Sequence, residues 1–437
     1  MTAVTIGYLS AGLLLLLLAL GVPVAVAMGA IGIGGLLLGV GVNLTVAQLS
    51  SLPFTVVNNY DFAVLPMFVL MGVLAEVSGV TQQLFHACTL WLRRLRGGLY
   101  HAVVVGSAIF AAISGSTIVN AVVFTRIAYP EMLRYGYDKS LSLGCIAATG
   151  SFAAMIPPSI TMVIYAIMTD QSVGRLLIAG VIPGILTAII YLVGLSILIR
   201  VRPKLAPPIP EPVSRRERWR ATIGIWPVGM LVVLVMGGMY SGLFPASAAG
   251  AAGAAGAFAY AVWRKKGIGR WLSPVLQDAA AVSCVIFVIL IGGLLLSRML
   301  VVVGVIDHVV QLVTSIASTP LRFMILACVL YLVLGCFLDT TSMMVVTLPF
   351  LFPVVVALKI DPIWFGIILV KLIEISVLTP PVGLNLFAVQ GAAGGRATFQ
   401  DIVKGVIPFI VLEIGVLALL VAVPELTTWL PDRMIGK

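Results

Sequence analysis

The side chains best suited to chemistry in this 437-residue chain are oxygen-bearing, and they come in two matched groups. Ser114, Gly115, Ser116 and Thr117, with Asn120 one turn on, precede the pair Pro157–Pro158 and then Ser159. Asp339, Thr340, Thr341 and Ser342 precede Thr379, the pair Pro380–Pro381, Gly383 and Asn385. A shift of 223 residues carries Thr117 onto Thr340, Pro130 onto Pro353 and Asp138 onto Asp361, and it also superposes the two proline pairs. A shift of 225 carries Gly180–Pro183 onto Gly405–Pro408, and one of 222 carries Pro23 onto Pro245. Hydroxyls, a carboxylate and the carbonyls freed where a helix unwinds are ligands for a hard cation such as Na⁺. Helix N-termini attract anions. The pattern therefore points to one site for an anion together with Na⁺.

Each residue also has a plainer role. Ser, Thr and Gly glue membrane helices together by close packing, and Asp339 is well placed to cap a helix. The matched spacing to the proline pairs favours the site reading for the two groups, and for Asp339 the two roles are compatible. Lys371 and Glu374 stand three residues apart on one helix face, so a structural pair is expected there. Arg126 is expected to snorkel toward a membrane surface, and the scattered His86, His101 and His308 are given no role.

Composition dictates the elements that must hold these residues. The chain is 61% hydrophobic and 10% charged, and residues 1–60 and 221–263 contain no Asp, Glu, Lys or Arg. A helix needs about 20 apolar residues to cross the hydrocarbon, so these are membrane segments. The net charge of +10 sits in short loops: Arg93–Arg96, the linker Arg200–Arg220, and Arg264–Arg270. This is the positive-inside pattern, which places those loops in the cytoplasm, and it is no sign of nucleic-acid binding. The five cysteines lie in apolar stretches without a Cys-x-x-Cys spacing and read as core residues. The N-terminus lacks the basic region of a cleaved signal and is expected to be retained.

Each half then reads alike. Two short apolar stretches (Val4–Leu20 with Val24–Val40; Trp226–Tyr240 with Ala246–Trp263) are followed by a span (Phe62–Val77; Ala279–Ser297) and an amphipathic arm (Val80–Leu95; Val305–Ser318). Next comes an apolar run broken by the hydroxyl group, then a span broken by Pro-Pro, then an unbroken span. Each short pair is expected to form two spans, or else one bent helix. The run Gly97–Thr125 has cations at both ends, so it should enter and leave on one side as a re-entrant hairpin. Five crossings per half invert the second half, whose hairpin at Phe323–Val356 should enter from outside. The expectation is an all-α polytopic membrane protein: a first inverted repeat over 1–199, a basic, Pro-rich cytoplasmic linker over 200–220 whose core Pro207–Pro210 suits an extended connector, and a second repeat over 221–437. Duplications of this kind build secondary transporters. No nucleotide-binding or metalloprotease motif is present, so ATP hydrolysis and metal-dependent proteolysis are not expected.

Several of these motifs carry a family likeness. Ala111–Thr117, Ile127–Met132, Gly136–Asp138, Ile156–Ser159 and the stretch Asp361–Gly366 through Glu374 to Leu378–Phe387 resemble the large membrane subunit of the tripartite ATP-independent periplasmic (TRAP) transporters. The resemblance covers nearly the whole chain. It implies an elevator-type, Na⁺-coupled importer in the bacterial inner membrane, in which a mobile domain bearing both hairpins slides against a scaffold. A periplasmic binding protein would deliver a small organic anion. A small four-helix membrane subunit would complete the scaffold as a separate chain, since no extra helices precede Met1. Na⁺ would lie at the tips, at Ser114, Ser116, Asp339, Thr340 and Thr379, and no other cofactor is implied. Asn120, Arg126 and Tyr129 are larger or more polar than the family pattern suggests. A stand-alone Na⁺- or H⁺-coupled anion symporter and an intramembrane enzyme are the competing readings.

Overall fold

The computed structural model describes residues 3–209, 213–335, 337–381 and 383–434, and the described chain is helical throughout, with no strand. Helices α1 (Ala3–Ala19) and α2 (Val24–Val40) are separate, divided at Gly21, whose φ of +79° suits glycine. An unforeseen helix, α3 (Val42–Val57), follows and carries Pro53 inside it. Its polar Asn43, Gln48 and Ser50 hide it from a hydropathy reading. Next come α4 (Val64–Val77), the arm α5 (Val80–Leu92), α6 (Gly98–Ser114) and α7 (Thr117–Arg134). The broken span comprises α8 (Lys139–Gly150), α9 (Phe152–Met155) and α10 (Ile160–Met168), and α11 (Val173–Val201) closes the first half.

The Pro-rich core of the linker is non-helical at Pro207–Ile209, and Pro210 lies outside the described residues. The end of the linker forms a helix that composition alone did not announce, α12 (Arg215–Gly224), because Ser214 and Glu217 make a reciprocal capping box there. After it come α13 (Trp226–Val232), a π turn at Val233–Gly237, α14 (Gly238–Tyr240) and α15 (Ala246–Arg264). The second half continues with α16 (Leu272–Val302), α17 (Val305–Ile316), α18 (Pro320–Leu334) and α19 (Thr340–Ala357). Then α20 (Pro362–Leu378), α21 (Leu384–Ala392), α22 (Phe399–Ala422) and α23 (Glu425–Met434) complete the chain. Among the described residues, six helical segments are long and apolar enough to cross a membrane, or eight if each of two bent pairs counts as one span.

Element boundaries recur at the spacing of the sequence motif. α7 and α19 begin at Thr117 and Thr340 and end at Arg134 and Ala357, in each case 223 residues apart. α8 and α20 both follow a capping aspartate, Asp138 and Asp361, whose side chain accepts from a first-turn backbone N–H. The arms α5 and α17 both follow a glycine with left-handed backbone, Gly79 and Gly304. The Pro157–Pro158 and Pro380–Pro381 bonds are both cis.

Small residues set the helix packing. α2 lies along α16, where a Cβ on Gly32 would stand 2.8 Å from the Leu295 backbone. α22 lies along α8, where Gly144 and Gly405 face each other so closely that a Cβ on either would collide with the opposing main chain. Of the described cysteines, Cys88 and Cys145 are buried as expected, whereas Cys284 is exposed on α16; all four are free thiols. Cys336 lies outside the described residues. The Gly144–Gly405 contact makes a testable claim. Gly405→Ala should destabilise the fold by about 1–3 kcal/mol through overpacking, read as a lowered unfolding midpoint in detergent. Gly415→Ala on the same helix meets nothing within 4 Å and should leave the midpoint unchanged.

Candidate functional site

The local sequence breaks the hairpins where the oxygen-bearing groups sit. α6 ends at Ser114 because Gly115 turns left-handed at φ +59°. Ser116 then caps α7, its hydroxyl accepting from Val119 N–H at 3.5 Å. In the second hairpin Asp339 caps α19, its Oδ2 accepting from the N–H groups of Thr341 and Ser342 at 3.1 and 3.4 Å. Asp339 is therefore a helix cap, and it remains partly exposed beside Thr340.

Both tips line one cavity of about 410 Å³. Ser114, Gly115, Ser116 and Thr117 form one wall, and Asp339, Thr340 and Thr341 another. Ile160 and Thr161 add the start of α10. The opposite wall is aliphatic: Val69, Gly72 and Val73 of α4, with Val282, Val285, Ile286 and Ile289 of α16. No Lys, Arg or His is among the described residues that line it. Ser114 is 3% exposed, and its Oγ is buried without a protein hydrogen-bond partner. α4 presses on this tip, since a Cβ on Gly72 would lie 2.9 Å from Ser114 O.

The Pro-Pro breaks stand behind the tips. A Cβ on Gly115 would lie 3.1 Å from Pro158 O, so the Pro157–Pro158 segment backs the first tip. Ser159 caps α10 and is fully buried, donating to Ala154 O at 2.5 Å and accepting from Met162 N–H at 3.3 Å. The last turn of α18 meets α20 just before Pro380–Pro381, where a Cβ on Gly335 would collide with Ser376. Thr379 donates to Ile375 O at 2.7 Å. Asn385 is 1% exposed, and neither its Oδ1 nor its Nδ2 has a partner. Thr379, Pro380, Pro381, Gly383 and Asn385 do not line the tip cavity, nor do Asn120, Pro157, Pro158 and Ser159. Asn120 faces the other way: its Oδ1 accepts from Ser107 Oγ at 2.9 Å and its Nδ2 donates to Ser107 O at 3.3 Å. Those bonds tie α7 to α6 instead of reaching a ligand.

Comparison with known proteins gives the arrangement its context. Residues 11–426 match the family model described as the tripartite ATP-independent periplasmic transporter, DctM component. The chain belongs to this family. It is 30% identical over 442 residues, 95% of each chain, to the C4-dicarboxylate TRAP transporter large permease protein DctM of Vibrio cholerae. It is 32% identical to the protein of that name from Pseudomonas aeruginosa, over 87% of this chain and 88% of that one. In fold it is similar to the Alcanivorax borkumensis YdaH transporter, with a TM-score of 0.63 and 14% identity over 98% of this chain and 99% of that one. It is a multi-pass permease of the bacterial inner membrane and not an enzyme.

Two of the side chains that depart from the TRAP pattern have structural partners: Asn120 bonds Ser107, and Tyr129 donates to Arg396 O at 3.3 Å. The expected Lys371–Glu374 pair forms at 2.5 Å, inside a larger cluster. Lys371 Nζ also donates to Glu413 Oε2 at 2.7 Å and to Thr187 Oγ1 at 3.1 Å. Tyr191 donates to Glu413 Oε1 at 2.6 Å. Lys371, Glu374 and Glu413 are wholly buried. Glu413 escaped the sequence reading, although a lone acid between Lys404 and Glu425 in an apolar helix is a signal in itself. Removing the one cation strands two buried carboxylates. Lys371→Ala should therefore cost about 3–5 kcal/mol, measured as a large fall in unfolding midpoint and yield. Wild-type stability would refute the role of the cluster as a helix tie.

Proposed function

We propose that this chain is the ion-coupled permease of a TRAP system, importing a small organic anion with Na⁺ by an elevator motion. One observation carries the reading: two oxygen-rich hairpin tips meet in a cavity that no described basic side chain lines. An organic anion held there in a poor dielectric needs a countercharge. The α7 N-terminus supplies part of it, and a co-bound Na⁺ supplies the rest. Ser114, Ser116, Asp339 and Thr340 provide oxygens for that ion, with the buried and unpartnered Ser114 Oγ best placed to gain a ligand. Thr379 and the unpartnered amide of Asn385 flank the second Pro-Pro break outside this cavity, where they would serve a further coordination step on the same path.

The aliphatic wall from α4 and α16 suits a greasy surface against which the tips slide. The recurring element boundaries favour two repeats, which the charge pattern of the loops orients in opposite senses. The relatives named for C4-dicarboxylates make a carboxylate the leading substrate class. A periplasmic binding protein and a small membrane subunit are the partners this reading requires.

Reconstitution with both partners tests it. Uptake should collapse when the Na⁺ gradient is removed, and full uptake from choline buffer would refute Na⁺ coupling. Asp339→Asn retains a capping oxygen but loses the charge, so unfolding midpoint and yield should change little. Its transport should fall, and its half-saturating Na⁺ concentration should rise. Ser116→Ala should shift the same quantity less, because one neutral oxygen is lost from several. Unchanged Na⁺ dependence in Asp339→Asn would leave that aspartate as a cap only.

A further inference from the structure

Helix α12 belongs to neither copy of the repeated motif, and none of its residues is buried. Its side chains sort into three stripes at 3.6 residues per turn. Arg218 and Thr222 face α5. The Trp91 indole N–H donates to Thr222 Oγ1 at 2.8 Å, and the Arg218 guanidinium lies 5.7 Å from the Trp91 ring centre. Trp219, Ile223 and Trp226 form the second stripe; the Trp219 ring meets the Trp91 ring edge-on at 6.1 Å, yet the three side chains are still 59%, 65% and 52% exposed. Arg216 and Arg220 form the third, directly beside the apolar one, and both are exposed.

A bare apolar stripe flanked by arginines suits the boundary between acyl chains and headgroups. Position supports a lipid occupant. α12 enters the apolar segment Trp226–Tyr240 with a bend of 41°, so its stripe lies next to the hydrocarbon edge. The stripe also continues as an aromatic band of the kind found at membrane interfaces. Trp226 stacks edge-on to Tyr260 at 6.2 Å, and Tyr260 lies 5.7 Å from Trp263. Charge supports an anionic lipid: Arg215 lies on the same helix, and Arg264, Lys265 and Lys266 follow Trp263.

We propose that α12 is an interfacial helix that binds anionic phospholipid of the cytoplasmic leaflet, with Trp219, Ile223 and Trp226 seated among the upper acyl chains and Arg216 and Arg220 on the lipid phosphates. Through Trp91 the helix also holds the end of α5, which leads into α6 and so to Ser114. The lipid contact is thereby joined to the first hairpin.

Unfolding midpoints of the full chain, purified in detergent with its small subunit, test this. Phosphatidylglycerol should raise the midpoint more than phosphatidylcholine, and R216Q/R220Q should lose at least half of that difference. Equal effects of the two lipids, or a full phosphatidylglycerol effect in the double variant, would overturn the proposal. So would free glycerol phosphate reproducing the shift, which would mark a soluble-anion site. Loss of the small subunit from W219S/I223S during purification would assign the stripe to that protein instead.

Discussion

A helix that breaks inside hydrocarbon must find partners for its freed backbone groups within the protein, and this constraint governs the rest of the molecule. The chain meets it locally at each helix restart. Ser116, Ser159 and Asp339 each turn a side-chain oxygen onto the first N–H groups of the helix that follows. Such caps leave the tips polar at a depth where polar groups are otherwise costly. At the tips the capping groups Ser116 and Asp339 also line the cavity, whereas Ser159 stays buried behind the first tip. Glycine allows the remaining closeness: Gly115 brings the first tip onto the Pro158 carbonyl, and Gly72 lets α4 rest on Ser114.

Breaks also weaken the helices that carry them, so something else must hold the broken segments together. The Lys371 cluster does this across the two halves. Thr187 and Tyr191 on α11 come from the first half, and Lys371, Glu374 and Glu413 from the second. A buried ion cluster is a poor source of net stability, but it is exacting in geometry, because each charge must keep its partner. It anchors α20 in the turns that lead up to Thr379 and the second Pro-Pro break. On the elevator reading, α11, α20 and α22 would then travel as one body.

The parts of the fold that were legible in sequence are those where chemistry restricts residue type. A tip needs Gly and a capping oxygen, and a break needs proline, so the matched groups at 114–117 and 339–342 survive as text. That most of the chain forms apolar helices was legible because hydrocarbon tolerates few charges, but the ten crossings expected from counting exceed the six to eight helical segments long and apolar enough to span among the described residues. What stayed hidden depended on neighbours far away in sequence. α3 is hidden because its polar residues dilute a hydropathy signal, and α12 because its basic composition resembles a solvated linker although the Ser214–Glu217 capping box starts a helix there. Asn120 was assigned to the site on proximity to the tip, yet its partner Ser107 lies on the preceding helix. Nothing in the local sequence announces that bond.

On the Na⁺-coupled reading, the choice of ligands would fit a site that must release what it binds. Among the described residues no three His, Cys, Asp or Glu side chains gather as they would for a tightly held metal. The candidate Na⁺ ligands are instead hydroxyls and one carboxylate already engaged with backbone N–H groups. Neutral oxygens give a weak field, and a weak field suits an ion that has to leave on every cycle. Ser114 Oγ adds the complementary feature, being a buried polar group on the cavity wall without a protein partner. Such a group gains most when a ligand arrives, because desolvation has already been incurred in folding. Ion and anion binding would therefore draw on the same reserve at the tips, and each would favour the other without any direct contact between them. Coupling of that kind needs no dedicated switch residue. It needs only that the tips be under-satisfied alone and that both ligands share the cavity between them.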